Sequence, residues 1–297
     1  MYFGGFMFIF IVNPISGNNL GNPASLVIRD YCQYKNINYK IFYTEDKNDA
    51  IRIADAFKDD EKVTIFSVGG DGTLNEVVNG LANSKAKLGL IPVGSGNDFY
   101  RTFKDFKGDK IDLGKVNDRY FINVASLGLD AEIANYANKL KNGKLSNEPI
   151  YILSLIHEYF KFKPIDIDID GIDKDSTILT VCNAKYYGGG FKIAPHAKLN
   201  DGMFDIIDVK SLNKLEIINL VMKLIKAKHL SSKVVNFYQT DKLSVESIIP
   251  LNCNIDGEII KNTDFNFSIE KEALNVDVEN SNYFRNLLVL NKVIKNR

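Results

Sequence analysis

Residues 67–76, Ser-Val-Gly-Gly-Asp-Gly-Thr-Leu-Asn-Glu, constrain the fold more than any other stretch. An apolar, β-branched run from Val63 to Val68 leads in, and an amphipathic segment from Leu74 to Leu81 leads out. Gly69, Gly70 and Gly72 would each lose backbone entropy inside a strand or helix, so they belong where the chain turns sharply. Thr73 and Glu76 have capping-box spacing, which predicts a helix beginning right at the turn. Strand, glycine turn and helix N-terminus in succession make an anion site, because bare N–H groups gather at the positive end of the helix dipole. The same residues also suit a plain tight loop with an N-cap. Asp71 decides between the two, since a carboxylate beside a phosphate repels it unless a divalent cation lies between. The stretch reads as a phosphate-plus-magnesium loop.

Composition narrows the setting. The chain has 297 residues, 45% hydrophobic and 25% charged, as expected of a soluble globular protein with one large domain or two ordinary ones. Lys plus Arg balance Asp plus Glu at 37 each, so global charge gives no argument for nucleic acid, and none is expected as a partner. Attraction to a membrane would have to be local. Cys32, Cys182 and Cys253 have no metal-ligand spacing, and an odd number fits no secreted disulfide framework, which predicts a reducing cytoplasm. The apolar run Met1 to Val12 lacks a basic flank and a cleavage site and is too short to span a bilayer. It predicts a buried first strand, with Met7 as an alternative start.

Along the chain, Asn13-Pro14-Ile15-Ser16-Gly17 is a turn by composition. Helical spacing over Ala24 to Tyr34, a strand over Tyr39 to Tyr43 ending at Thr44, and a helix over Asp49 to Phe57 come next. A short buried strand, Leu88 to Pro92, leads into Val93-Gly-Ser-Gly-Asn-Asp98. Alternating strands and helices predict a doubly wound parallel sheet, with the three glycine-bearing loops gathered at one edge. Near residue 112 the character changes to short strand-like runs: Asp112 to Lys115, Arg119 to Ser126, Ile165 to Ile169, Thr177 to Asn183, Met203 to Lys210, Lys242 to Ser247, Leu251 to Ile255 and Phe265 to Ile269. These predict an antiparallel sandwich, interrupted by helices over Tyr151 to Phe162 and Leu215 to Lys226. An amphipathic end, Tyr283 to Ile294, is expected to pack back on the first domain. The expected domains are 1–120 with 283–297, and 121–282.

Several signals look chemical and read better as structure. Asp166 to Gly171 opens like a calcium loop, but its twelfth position is Thr177, and strict alternation with Ile165, Ile167 and Ile169 suits a half-buried strand. No Gly-x-Ser-x-Gly elbow, P-loop or dinucleotide fingerprint occurs. Two stretches carry more. In Tyr186 to Gly202, Gly188, Gly189 and Gly190 allow close approach of a ligand or strand, and Lys192 and Lys198 are candidates to face phosphate. Asp201-Gly202 taken alone is a hairpin turn. Asn254-Ile-Asp-Gly-Glu258 presents two carboxylates around a turn, either a solvated turn or the place of a hydroxyl-activating base.

Taken in order, these motifs resemble the diacylglycerol kinase catalytic-domain family, in the group of bacterial lipid kinases, over essentially the whole chain. The glycine–aspartate loop alone is shared with NAD kinases and phosphofructokinases; the ordered set is far more specific. The resemblance implies an α/β ATP-binding domain followed by a mostly antiparallel β-sandwich domain, with the active site in the cleft between them. It implies that Asn13, Pro14, Ile15, Ser16, Gly17, Thr44, Gly69, Gly70, Asp71, Gly72, Thr73, Leu74, Asn75 and Ser95 hold ATP. Asp71 and Asp98 would organise phosphates and Mg2+, and Asp201 with the carbonyls of Lys198 and Met203 would form a structural magnesium site. Glu258 matches the proton acceptor, with the assignment between Asp256 and Glu258 open. Ser95 departs from the Thr frequent in bacterial diacylglycerol kinases, though both offer a hydroxyl.

The implied reaction is transfer of the γ-phosphoryl group of ATP to a lipid hydroxyl, most simply diacylglycerol giving phosphatidic acid. Phosphatidylglycerol and a sphingoid base are alternative acceptors, and a NAD-kinase-type metabolite kinase or a non-catalytic nucleotide-binding regulator are the rival functions. The expected location is cytoplasmic and peripheral to the membrane, with Lys139, Lys141, Lys144, Lys161 and Lys163 as candidate headgroup contacts. A homodimer is left open by the sequence.

Overall fold

β-branched and aromatic runs alternate with helical segments through the first hundred residues, and in the computed structural model they form a parallel sheet. The structure describes residues 6–129, 132, 164–210 and 212–295. Two units are distinguished, residues 1–113 with 271–297 and residues 114–270. By contacts the chain divides at 113 and 270, inside the strands Lys110–Val116 and Glu258–Val276 that run across both boundaries.

The first unit runs β1 (Met7–Val12), α1 (Gly21–Tyr34), β2 (Tyr39–Tyr43), α2 (Asp49–Asp55), β3 (Val63–Gly69), α3 (Asp71–Leu81), β4 (Lys87–Pro92) and α4 (Asp98–Phe103). The strands are parallel in the order β2-β1-β3-β4. Val12 pairs with Tyr43 and Val68, and Gly69 with Pro92, so the strands end level with one another. The loops after β1, β3 and β4 therefore share one edge. Asn275 and Val276 extend the sheet beside Lys87 and Leu88.

One face of the sheet is covered by α1 and by the C-terminal helix, Val278–Leu290. Phe10 and Phe66 stack at 5.0 Å, and Phe284 sets its edge against both at 5.2 Å. Full burial of such a ring is worth roughly 2–3 kcal/mol. The amphipathic C-terminal segment thus returns to the first unit. Ser281 anchors it by accepting the Leu90 N–H at 2.8 Å.

The second unit is antiparallel. It takes β5 (Lys110–Val116, entering from the first unit), β6 (Arg119–Phe121), β7 (Val124–Gly128), β8 (Ile165–Ile169), β9 (Ile172–Cys182), β10 (Phe204–Lys210), α5 (Lys214–Ile225), β11 (Val235–Thr240), β12 (Lys242–Ile255) and β13 (Glu258–Val276, leaving to the first unit). β9 and β12 each pair with both β7 and β8, so these four strands wrap around a core that includes Phe121, Ile167, Ile169, Leu179, Phe204 and Phe265. The expected single strand Arg119 to Ser126 is two strands, broken at Ile122 and Asn123. Ile167 and Ile169 are buried, and Asp170-Gly171 turn with positive φ, so the calcium-like run is a strand and hairpin. The helix expected over Tyr151 to Phe162 and the basic clusters at 139–144 and 161–163 lie outside the described residues.

Candidate active site

At the level edge of the parallel sheet the three loops interlock. Asn13 follows β1; its Nδ2 donates to Thr73 Oγ1 at 3.2 Å, and its Oδ1 accepts the Ile15 N–H at 3.2 Å. The turn through Pro14, Ile15 and Ser16 ends at Gly17, whose φ is +62° and where a Cβ would stand 1.8 Å from the Val93 carbonyl oxygen. Gly69 O accepts from Val93 N–H at 3.0 Å and Gly94 N–H at 3.1 Å. A Cβ on Gly94 would lie 2.4 Å from Gly70 Cα, so position 94 tolerates no side chain, while one on Gly70 would be tight at 3.3 Å from Gly94 Cα. Gly72 differs, since a Cβ on it meets no atom within 4 Å. Thr44 closes the group, its N–H donating to Val12 O at 2.9 Å.

The edge thus gathers Asn13 to Gly17, Gly69 to Thr73 and Gly94 to Asp98. Ser95 is exposed at the tip of its loop, and Ile15 is exposed too. Leu74 and Asn75 are buried, and the Leu74 N–H is bonded to Gly70 O at 3.1 Å. Their places in the expected ATP-binding set are therefore inside α3, facing away from solvent. The expected capping box is not formed. The α3 helix starts at Asp71 with Gly70 as N-cap, Thr73 Oγ1 is engaged by Asn13, and Glu76 Oε2 accepts the Ala50 N–H of α2 at 3.3 Å. Both capping-box side chains were drawn to neighbouring segments once the loops packed.

Asp71 and Asp98 are the carboxylates of this edge, and Asp71 is the more heavily engaged by backbone N–H groups. Its Oδ1 accepts the Phe99 N–H at 3.4 Å, and the N–H groups of Asn97 and Asp98 also bond its carboxylate, so it caps α4. Burial pushes the Asp71 carboxyl above the ordinary carboxylate range, and these N–H groups offset the rise only in part. Asp98 is buried, with Arg101 Nε 3.8 Å from its Oδ1. Asn97 holds the loop in shape, in the left-handed region at φ +54° with its Nδ2 donating to Gly94 O at 2.6 Å.

In the second unit Asp256 and Glu258 have different partners. Asp256 Oδ2 accepts the Ile122 N–H at 2.8 Å, and its Oδ1 accepts Asn123 N–H at 3.1 Å and Val124 N–H at 2.9 Å. Those are the N–H groups freed where β6 and β7 separate, so this carboxylate clasps the break between the two strands. Glu258 pairs instead with the Arg119 guanidinium, through Oε2 and Nη2. Asn254 supports the turn, with its Oδ1 accepting the Gly257 N–H at 2.9 Å and its Nδ2 donating to the Tyr187 hydroxyl. Arg119 was not singled out from the sequence; its partner lies 139 residues away.

Asp201 Oδ1 accepts the Met203 N–H at 3.2 Å, a turn around Gly202, and Lys198 is exposed on the segment before it. Gly188, Gly189 and Gly190 all have positive φ and form a loop closed by paired hydrogen bonds between Tyr187 and Phe191. Backbone geometry accounts for that triplet. Lys192 Nζ lies 5.9 Å above the Tyr186 ring. Among the described residues no three His, Cys, Asp or Glu side chains gather as a metal cluster, and no helix is long and apolar enough to cross a membrane.

Comparison with known proteins matches both units. Residues 7–119 fit the diacylglycerol kinase catalytic domain, and residues 123–278 fit the YegS C-terminal NAD kinase beta sandwich-like domain. A diacylglycerol kinase of Staphylococcus epidermidis is 31% identical over 270 residues, covering 84% of each chain. A diacylglycerol kinase of Bacillus subtilis is 29% identical over 269 residues, covering 84% of this chain and 88% of that one. A crystal structure from Bacillus anthracis superimposes with TM-score 0.72 at 23% identity, covering 92% of this chain and 96% of the other, and supports the fold.

Proposed function

The chain belongs to the diacylglycerol kinase family and is a lipid kinase, and on that premise we propose that it transfers the γ-phosphoryl group of ATP to the hydroxyl of diacylglycerol, giving phosphatidic acid. The observation that carries the proposal is the interlocking of three loops at the level strand ends, with the N-terminus of α3 among them. Main-chain N–H groups and a helix dipole at such an edge suit polyphosphate.

A magnesium ion fits the donors present. Asp71 and Asp98 are hard oxygen ligands, and a carboxyl that burial pushes up is the kind that a divalent cation relieves. These two would hold the ion, which supplies neutralisation of phosphate charge when bound. Asp201 with the Lys198 and Met203 carbonyls is proposed as a second, structural magnesium site. Asn13 to Gly17, Thr44 and Ser95 line the nucleotide, and the loop N–H groups orient the phosphates. Glu258 takes the hydroxyl proton of the acceptor, a role that Asp256 cannot share because its oxygens hold three N–H groups. The acceptor lies in a bilayer, so the enzyme works peripherally at a membrane surface.

The test incubates purified protein and magnesium-ATP with a bacterial lipid extract and, separately, with NAD, and identifies phosphorylated products by mass spectrometry. Phosphatidic acid is the expected product. Phosphorylated phosphatidylglycerol or sphingoid base would move the reading to another lipid acceptor, and labelling of NAD alone would overturn it.

A further inference from the structure

Arg119 is held from two sides. The β5–β6 turn before it is fixed at Asn117, which is left-handed at φ +51°. Asn117 N–H donates to Asn266 O at 3.0 Å, its Nδ2 donates to Asp264 O at 3.0 Å, and its Oδ1 accepts the Asn266 N–H at 2.9 Å. That ties one end of β6 to β13. At the other end, the N–H groups of residues 122–124 are tied to Asp256, two residues before Glu258. The ion pair between Arg119 and Glu258 spans two segments already locked in register, so neither side chain has to search for the other.

We infer that Arg119 is the positioning residue of Glu258, holding the base carboxylate in one rotamer for the acceptor hydroxyl. This rests on the reading of Glu258 as proton acceptor. A guanidinium suits the task because it stays charged and its planar fork fixes an oxygen in direction as well as distance. A purely structural ion pair on this surface would be worth little, since exposed pairs contribute on the order of a fraction of their contact strength. This pair is half-buried, with side-chain exposures of 32% and 26%.

A double-mutant cycle on the full chain tests this, reading lipid phosphorylation from magnesium-ATP with a bacterial lipid extract. Arg119→Ala is expected to lower kcat about 10- to 100-fold with the KM for ATP within about twofold, because the nucleotide edge is untouched. Arg119→Lys should recover part of the loss, and millimolar guanidinium should rescue Arg119→Ala but not Glu258→Gln. In the Glu258→Gln background, Arg119→Ala should cost nothing further. Multiplicative losses, or a loss without guanidinium rescue, overturn the inference while leaving the base in place. Wild-type activity of Glu258→Gln overturns the base reading itself. If circular dichroism shows Arg119→Ala to be misfolded, Arg119→Lys decides, since full activity there together with an inactive Glu258→Gln refutes the positioning role.

Discussion

The two units treat negative charge in opposite ways. At the strand ends of the first unit, Asp71 is held by backbone N–H groups and burial leaves its carboxyl raised. In the second unit, Asp256 holds three N–H groups and Glu258 holds a guanidinium. On the proposed reading, a cation and a polyphosphate would complete the first arrangement with their own charges. The second is complete by itself. If the first is a ligand site and Glu258 is the base, as proposed, the first takes its counter-charge from the ligand at a cost in the free protein, while the second keeps its compensation built in.

The largest expected break of this contrast is Glu258→Gln, which should lower kcat by about 10²- to 10⁴-fold while thermal stability and ATP binding stay near wild type. Steady-state kinetics beside a nucleotide-binding titration would show it. Asp256→Ala should act through stability instead. Leaving three N–H groups without their acceptor is expected to cost about 3 kcal/mol, seen as a lower denaturation midpoint in urea with an unchanged slope.

The first unit can be probed through its glycines. Gly94→Ala, forced against Gly70, should destabilise by roughly 2 kcal/mol and weaken ATP binding together. Gly72→Ala has room, so it should leave the melting temperature unchanged or slightly raised by about 0.5–1 kcal/mol of helix preference. A fall in melting temperature as large as that of Gly94→Ala would contradict the packing described.

The smallest effect is a pH dependence. A carboxyl whose folded-state value is raised contributes stability below its unfolded value and loses it as pH rises through the folded one. Ligand-free Asp71→Asn should therefore melt a few degrees above wild type near pH 8, with the difference shrinking as pH falls toward 4, although its kinase activity is lost. Equal melting temperatures at all pH values would show that Asp71 carries no burial penalty.

Much of this was legible in the chain. Runs such as Val63 to Val68 read as buried strands because apolar β-branched residues cannot be satisfied elsewhere; Gly17 and the 188–190 triplet take positive φ, and Gly94 leaves no room for a side chain beside Gly70. The capping box misled because Thr73 and Glu76 had better partners than their own helix, Asn13 and Ala50, which only packing brought near. Local spacing ranks local partners, and it carries no information about competitors from distant segments.

The sequence by itself determined the order of strands and loops, the glycine turn of residues 69–72 between strand and helix, and the presence of two carboxylates at 256 and 258. Those follow from residue type and short-range geometry. Which carboxylate is a clasp and which meets Arg119 was decided by the tertiary structure. Hydrogen bonds go to whatever donors the strand register sets opposite, and the break between β6 and β7 set three of them opposite Asp256.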